Sequence, residues 1–152
     1  MKTIITAERP DTADAILLIS ELESQLAPFY PQTSRHGYSV EKLIAQGVNF
    51  FVTRCDGVPA GCGGIELFGQ EYGEVKRMYV RPQFRGLGLA KLMLNHLEAY
   101  ASQHYVPVLR LETGIYQKAA ITLYEQMGFQ SISPFGTYHE DPMSKFYEKQ
   151  LR

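Results

Sequence analysis

The chain has 152 residues, 45% hydrophobic and 20% charged, enough to bury the core of one domain (residues 1–152) and poorly suited to disorder. Its 15 Lys and Arg stand against 16 Asp and Glu, a formal charge of −1, so no general attraction to nucleic acid or to an anionic membrane is expected. No apolar run approaches the roughly 18 residues that span a bilayer; Met1-Lys2-Thr3 opens into no signal-peptide core, and Cys55 and Cys62 lack a CxxC spacing and clustered His partners, so a cytoplasmic protein without a metal site or disulfide is expected.

Lys2 to Ala7 reads as a first strand. Asp11 or Thr12 can cap a helix on which Ile16, Leu17, Ile19, Leu22 and Leu26 recur, and Pro28 and Pro31 stop it. Ala27 to Tyr38 is irregular and aromatic, free either to line a substrate mouth or to pack on a sheet. Ser39 then caps a short helix to about Gln46. From Asn49 to Arg81 an antiparallel meander follows: Phe50 to Cys55, the turn Asp56-Gly57, Val58 to Phe68, a turn near Gly69 to Gly73, and Glu74 to Val80. On its last strand Lys76 and Arg77 are adjacent, and strand alternation lets only one face a cleft. There it would suit a substrate carboxylate; an ion pair with Glu66 or Glu74 across the sheet is the competing reading.

Tyr79 to Ala101 is the stretch around which the rest is arranged. A strand end runs into a glycine-bearing turn led by Arg85 and then a helix from Gly86 to about Gln103, with Leu89, Leu92, Met93, His96, Leu97 and Tyr100 on one face. Without side chains at Gly86 and Gly88 a phosphate can approach unpaired N–H groups at the positive end of a helix. A nucleotide P-loop would need Lys and Ser or Thr after Gly88, where Leu89 and Ala90 stand; a dinucleotide fingerprint would need a small residue at Lys91. Pro107 to Thr113 then reads as a buried strand and Tyr116 to Met127 as a helix closed by Gly128, which suggests a parallel crossover. Ser133 to Arg152 reads as a loop, whose Tyr138 and His139 are free to border a binding site, and a closing strand.

Two motifs carry a resemblance. Arg85-Gly86-Leu87-Gly88-Leu89-Ala90 resembles the R/Q-x-x-G-x-G/A signature of the GNAT superfamily of acyl-CoA-dependent N-acetyltransferases, and Ala120 to Phe129 matches that family's A-x-x-L-Y-x-x-x-G-F downstream. The resemblance implies an α/β (α+β) fold: a mixed, mostly antiparallel twisted sheet with a central splayed parallel strand pair, flanked by about four helices. It also implies that the amides of Arg85, Gly86, Leu87, Gly88, Leu89 and Ala90 hold the pyrophosphate of acetyl-CoA, and that a backbone N–H from Met78, Tyr79 or Val80 meets the thioester oxygen. Gln117 stands where the family often carries an Asn that reaches the pantetheine.

In ribosomal-protein N-terminal acetyltransferases the same Glu-to-Tyr interval occurs as between Glu112 and Tyr124. By that similarity Glu112 is the base and Tyr124 the acid, with Glu66 and Glu74 as reserve bases. Arg77, Tyr38 and Tyr138 are the candidate acceptor-binding residues. The implied reaction is acetyl transfer from acetyl-CoA to the primary amine of a small molecule, with an amino-acid-like acceptor among the options, by direct attack in a ternary complex without a metal. A protein or peptide acceptor and a non-enzymatic coenzyme A binding domain are the alternatives, and association into a homodimer is left open.

Overall fold

Local chemistry sets the helix starts and the first hairpin. In the computed structural model of the chain, which describes residues 1–151, the Thr12 hydroxyl caps α1 (Ala13–Leu26) by accepting from the Ala15 N–H at 3.2 Å. Ser39 caps α2 (Val40–Ala45) in the same way from Lys42 at 3.1 Å. Asp56 and Gly57 both take positive φ, 50° and 82°, the turn whose twist matches right-handed strands, and join β2 (Asn49–Cys55) to β3 (Val58–Phe68). The other elements are β1 (Thr3–Ala7), β4 (Tyr72–Val80), α3 (Leu89–Gln103), β5 (Val108–Gly114), α4 (Lys118–Gln126), β6 (Gln130–Ile132) and β7 (Ser144–Gln150).

The strands form one sheet in the order β1-β2-β3-β4-β5-β7-β6, antiparallel throughout except between β4 and β5. That parallel pair is in register only at Gly73 with Leu109 and Glu74 with Arg110, after which the two strands part. The expected architecture, a mostly antiparallel sheet with a splayed central pair and four helices, is therefore present. Leu18 and Leu22 of α1 and Leu43 of α2 pack with Phe50, Val52 and Tyr79 on one face. Met93, Leu94 and Leu97 of α3 and Tyr124 of α4 pack with Phe51, Ile65, Leu109 and Tyr147 on the other. Leu94 and Leu97 are fully enclosed, so truncating either to Ala costs about 2–5 kcal/mol.

The helix faces differ from the expected ones. On α1 the buried stripe is Ala15, Leu18, Ile19 and Leu22, while Ile16 and Leu17 face solvent, because only the i, i+3, i+4, i+7 positions reach the sheet. Leu92 of α3 is exposed for the same reason. That helix starts at Leu89, not Gly86, since Gly86 and Gly88 have φ of 82° and 77°, which no helix turn accepts. The short strand β6, not anticipated, pairs with β7 just beyond Gly128.

A bulge in β4 overturns the expectation that only one of Lys76 and Arg77 faces the cleft. Cys62 pairs with Tyr79 but Gly64 pairs with Lys76, so β4 carries one extra residue over this span, and Arg77 sits there at φ 54°. A non-glycine residue in that region costs of order 1–3 kcal/mol and persists only where neighbours hold it. One holder is Cys62, whose thiol donates to the Arg77 carbonyl at 3.2 Å. The broken alternation leaves both Lys76 and Arg77 lining one pocket.

Candidate active site

Two cavities occupy the wedge that opens where β4 and β5 diverge. The larger, about 660 Å³, is a groove between the strand end and loop of Met78 to Lys91 and the start of α4. The smaller, about 130 Å³, lies between β4 and β5 under the Ser34 to Gly37 segment and Tyr138. Leu22, Met78, Gln117, Ala120 and Tyr124 line both, so the two spaces meet at that set of side chains.

In the groove, Gly88 is the N-cap of α3 with no side-chain cap, which leaves the first helical N–H groups free at the positive end of a 15-residue helix. A Cβ on Gly86 or Gly88 would meet no protein atom within 4 Å; it would project into open space, where a ligand must approach the backbone. Arg85 anchors the loop, donating through Nε to the Val80 carbonyl at 3.0 Å and through Nη2 to Gln25 at 2.6 Å. Gln25 in turn donates to the Gln117 side chain at 3.4 Å, a polar bridge from the loop to the start of α4. Met78, Tyr79, Val80, Leu89 and Ala90 line the groove with them, whereas the Leu87 side chain turns outward, 52% exposed. This uncapped, cationic loop suits the phosphates of an elongated anionic ligand, and the groove runs from it to Tyr124.

At the junction, Tyr124 is buried from α4 between Phe129 and Tyr147, ring centroids 5.7 and 6.4 Å away. Burial, and secondarily the Glu112 charge, push its phenol above the ordinary range, so it stays protonated and able to donate. Its hydroxyl has no hydrogen-bond partner among the described residues. Glu112 reaches the small pocket from β5, with Ser144 Oγ donating to its Oε2 at 2.7 Å. Burial raises the Glu112 carboxyl above the usual carboxylate range; the Glu74 charge adds to this, and the Ser144 bond, His36 and Lys76 oppose it. A carboxylate so shifted is a better proton acceptor than an ordinary Glu.

The remaining sequence candidates separate. Arg77 lines the pocket and pairs with Glu23 of α1, and Tyr138 lines it while donating to Glu74 Oε2 at 2.6 Å. Glu74 is also paired with Lys76 at 2.8 Å. Tyr38 lies outside the pocket lining, its ring centroid 3.9 Å from Lys76 Nζ. Glu66 likewise lies behind Lys76, 4.0 Å from Nζ, and His139 is exposed outside the lining. Sequence reasoning named Arg35 and His36 only as part of a segment free to line a substrate mouth, and missed Ser144 and Gln25. The first two come from the irregular segment, and His36 is held by Asp141 at 3.2 Å. Only the aromatic and charged content of Ala27 to Tyr38 pointed their way.

Comparison with known proteins bears on the family and the fold. The model of the acetyltransferase (GNAT) family matches residues 18–129. The IAA acetyltransferase of Azospirillum brasilense is 39% identical, over 99% of this chain and 100% of its own length. The uncharacterized N-acetyltransferase YedL of Escherichia coli (strain K12) is 32% identical, over 99% of this chain and 96% of its own. A crystal structure described as an acyl-CoA N-acyltransferase from Klebsiella pneumoniae is 38% identical with a TM-score of 0.84, covering 99% of this chain and 98% of the other. The PaiA N-acetyltransferase of Thermoplasma acidophilum, solved with coenzyme A, shares the fold at a TM-score of 0.80 and 19% identity, covering 99% and 100% of the two chains.

Proposed function

This chain belongs to the acetyltransferase (GNAT) family, and we propose that it transfers the acetyl group of acetyl-CoA to the primary amine of a small molecule by direct attack with both substrates bound. One observation carries this reading: the groove that suits the cofactor and the pocket that holds Glu112 share Tyr124 as a wall. Acetyl-CoA supplies an activated thioester; the residues around it bind, orient and move protons. The uncapped amides from Gly86 to Ala90, with Arg85, hold its phosphates, and the strand end at Met78 to Val80 brings backbone to the thioester end.

An alkylamine of pKa about 10.4 is neutral in under about one part in a thousand at pH 7, so attack needs a base. Glu112, raised by burial, takes one proton from the ammonium, directly or through a water, before the new C–N bond forms and passes it to solvent; the second leaves nitrogen as the tetrahedral adduct collapses and goes to the departing sulfur. The C–S bond breaks, and the departing sulfur receives the Tyr124 hydrogen bond. A phenol held above its ordinary pKa is a donor of hydrogen bonds more than of protons, so its role is to quiet charge on sulfur. Neither cysteine suits a covalent acetyl-enzyme: both are buried, and burial pushes the Cys62 thiol up to about 12. The small pocket, well below the roughly 300 Å³ of an ordinary drug-sized site, favours a small acceptor over a peptide.

The test is a panel of small amines and short peptides with acetyl-CoA, read by thiol release and by mass of the acetylated product. Release with small primary amines is expected. Turnover confined to peptides would overturn the acceptor class, and coenzyme A binding without release from any amine would overturn the transfer reading.

A further inference from the structure

The small pocket is unevenly charged. Two guanidinium groups line it, Arg35 from the irregular segment and Arg77 from the β4 bulge, and among the described residues both pair with the same single carboxylate, Glu23. Arg77 pairs with it directly and Arg35 at 3.8 Å. One positive charge is therefore left over. The Nε–H groups of both arginines are also buried without a hydrogen-bond partner, which costs about 1–3 kcal/mol for each such group until something fills it. The Arg77 side chain is only 3% exposed, and its position depends on the bulge and on Gly37, where a Cβ would lie 2.0 Å from Arg77 Nη1.

Beside them on β4 the imbalance reverses. Among the described residues Lys76 is the one cation paired with Glu74 and Glu66, Tyr138 also donates to Glu74, and Glu112 adds a third carboxyl from β5. The pocket thus has a cationic end that lacks an anion and an acidic end that can take a cation or its proton. Guanidinium forks match the planar geometry of a carboxylate, and Glu23 already shows that a carboxylate fits between these two.

We propose that the acceptor is a short zwitterionic amino acid, its carboxylate seated on the Arg35 and Arg77 Nε–H groups and its amine turned toward Glu112 and Tyr124. This rests on the acetyl-transfer reading above and adds the acceptor's chemical class to it. Transfer then proceeds as described: the ammonium gives one proton to Glu112, which passes it to solvent, the freed amine nitrogen bonds to the acetyl carbon, the C–S bond breaks, the second proton leaves nitrogen for the departing sulfur as the coenzyme A thiol, and the carboxylate stays bound and unreacted.

The experiment measures thiol release at saturating acetyl-CoA with alanine, β-alanine, serine and methionine, each beside its carboxamide. The carboxamides have the less basic, more fully neutral amines, so a preference for the acids runs against intrinsic reactivity. For the best acid, kcat/KM is expected to exceed that of its carboxamide by about 100-fold or more. Arg77→Lys, which keeps the charge but loses the fork, and Arg35→Gln, on an irregular segment where folding is little affected, should each raise KM for the acid about tenfold or more. Both should cut the acid-to-carboxamide ratio of kcat/KM about tenfold or more, because the charge-assisted fork favours the carboxylate. An acid-to-carboxamide ratio near one in the wild type, or a ratio unchanged in both variants, overturns the proposal while acetyl transfer stands. No thiol release with any amine overturns both.

Discussion

Replacing Tyr124 with Phe removes one oxygen and little else. The ring keeps its contacts with Phe129 and Tyr147, and no described protein group loses a hydrogen bond, so melting temperature and coenzyme A affinity should be unchanged. What disappears is a donor at the point where the two cavities meet. A hydrogen bond to a charged group contributes about 1.5–3 kcal/mol, and each 1.36 kcal/mol is tenfold in rate, so kcat should fall about 10- to 150-fold. Steady-state kinetics by thiol release, with calorimetry of coenzyme A binding to both proteins, reads the two quantities separately. Wild-type kcat in Tyr124→Phe would refute the assignment of this hydroxyl to the leaving sulfur. A drop in kcat matched by lost coenzyme A affinity would refute it too, since the residue would then be acting on the ground state.

Three further predictions address the loop, the base and the buried thiols. Gly88→Ala places a Cβ in the groove at φ 77° and should raise the coenzyme A Kd more than tenfold by calorimetry; Gly69→Ala, at φ 58° in a remote turn and equally free of clashes, shares only the backbone cost of about 1 kcal/mol, or ~2–4 °C in Tm. The acid limb of kcat/KM should lie above the usual carboxylate range, because Glu112 must be deprotonated to act and its pKa is raised; Ser144→Ala, by removing a bond that lowers it, should move the limb to higher pH. By the same linkage the folded state holds this proton more tightly than the unfolded chain, so stability falls as pH rises from the unfolded toward the folded pKa, and Glu112→Gln should raise Tm above that window while losing activity. Cys55 and Cys62 should resist a thiol reagent in the native protein and both react in denaturant, whereas Cys62→Ala, which strips the Arg77 carbonyl of its donor, should cost about 1–3 kcal/mol by denaturant melts.

What could be read from the chain alone was what neighbouring residues decide between themselves. Thr12 and Ser39 cap helices because a hydroxyl bonds an N–H three residues on, Asp56-Gly57 turns because both residues tolerate positive φ, and the loop from Gly86 to Ala90 presents free amides because two glycines precede an uncapped helix, whereas the Arg85 N–H is taken by the Pro82 carbonyl. The Ala120 to Phe129 motif put Tyr124 on a helix at a spacing that survives folding. The small pocket is another matter. Arg77 shares it with Lys76 only because β3 and β4 slip register by one residue around Gly63, and Glu23, Arg35, His36, Arg77, Glu112 and Ser144 come from five separate parts of the chain. Their contacts depend on how far β4 and β5 part and on where α1 crosses the sheet. Those are set by side-chain packing across the whole core, not by any local pattern of residues.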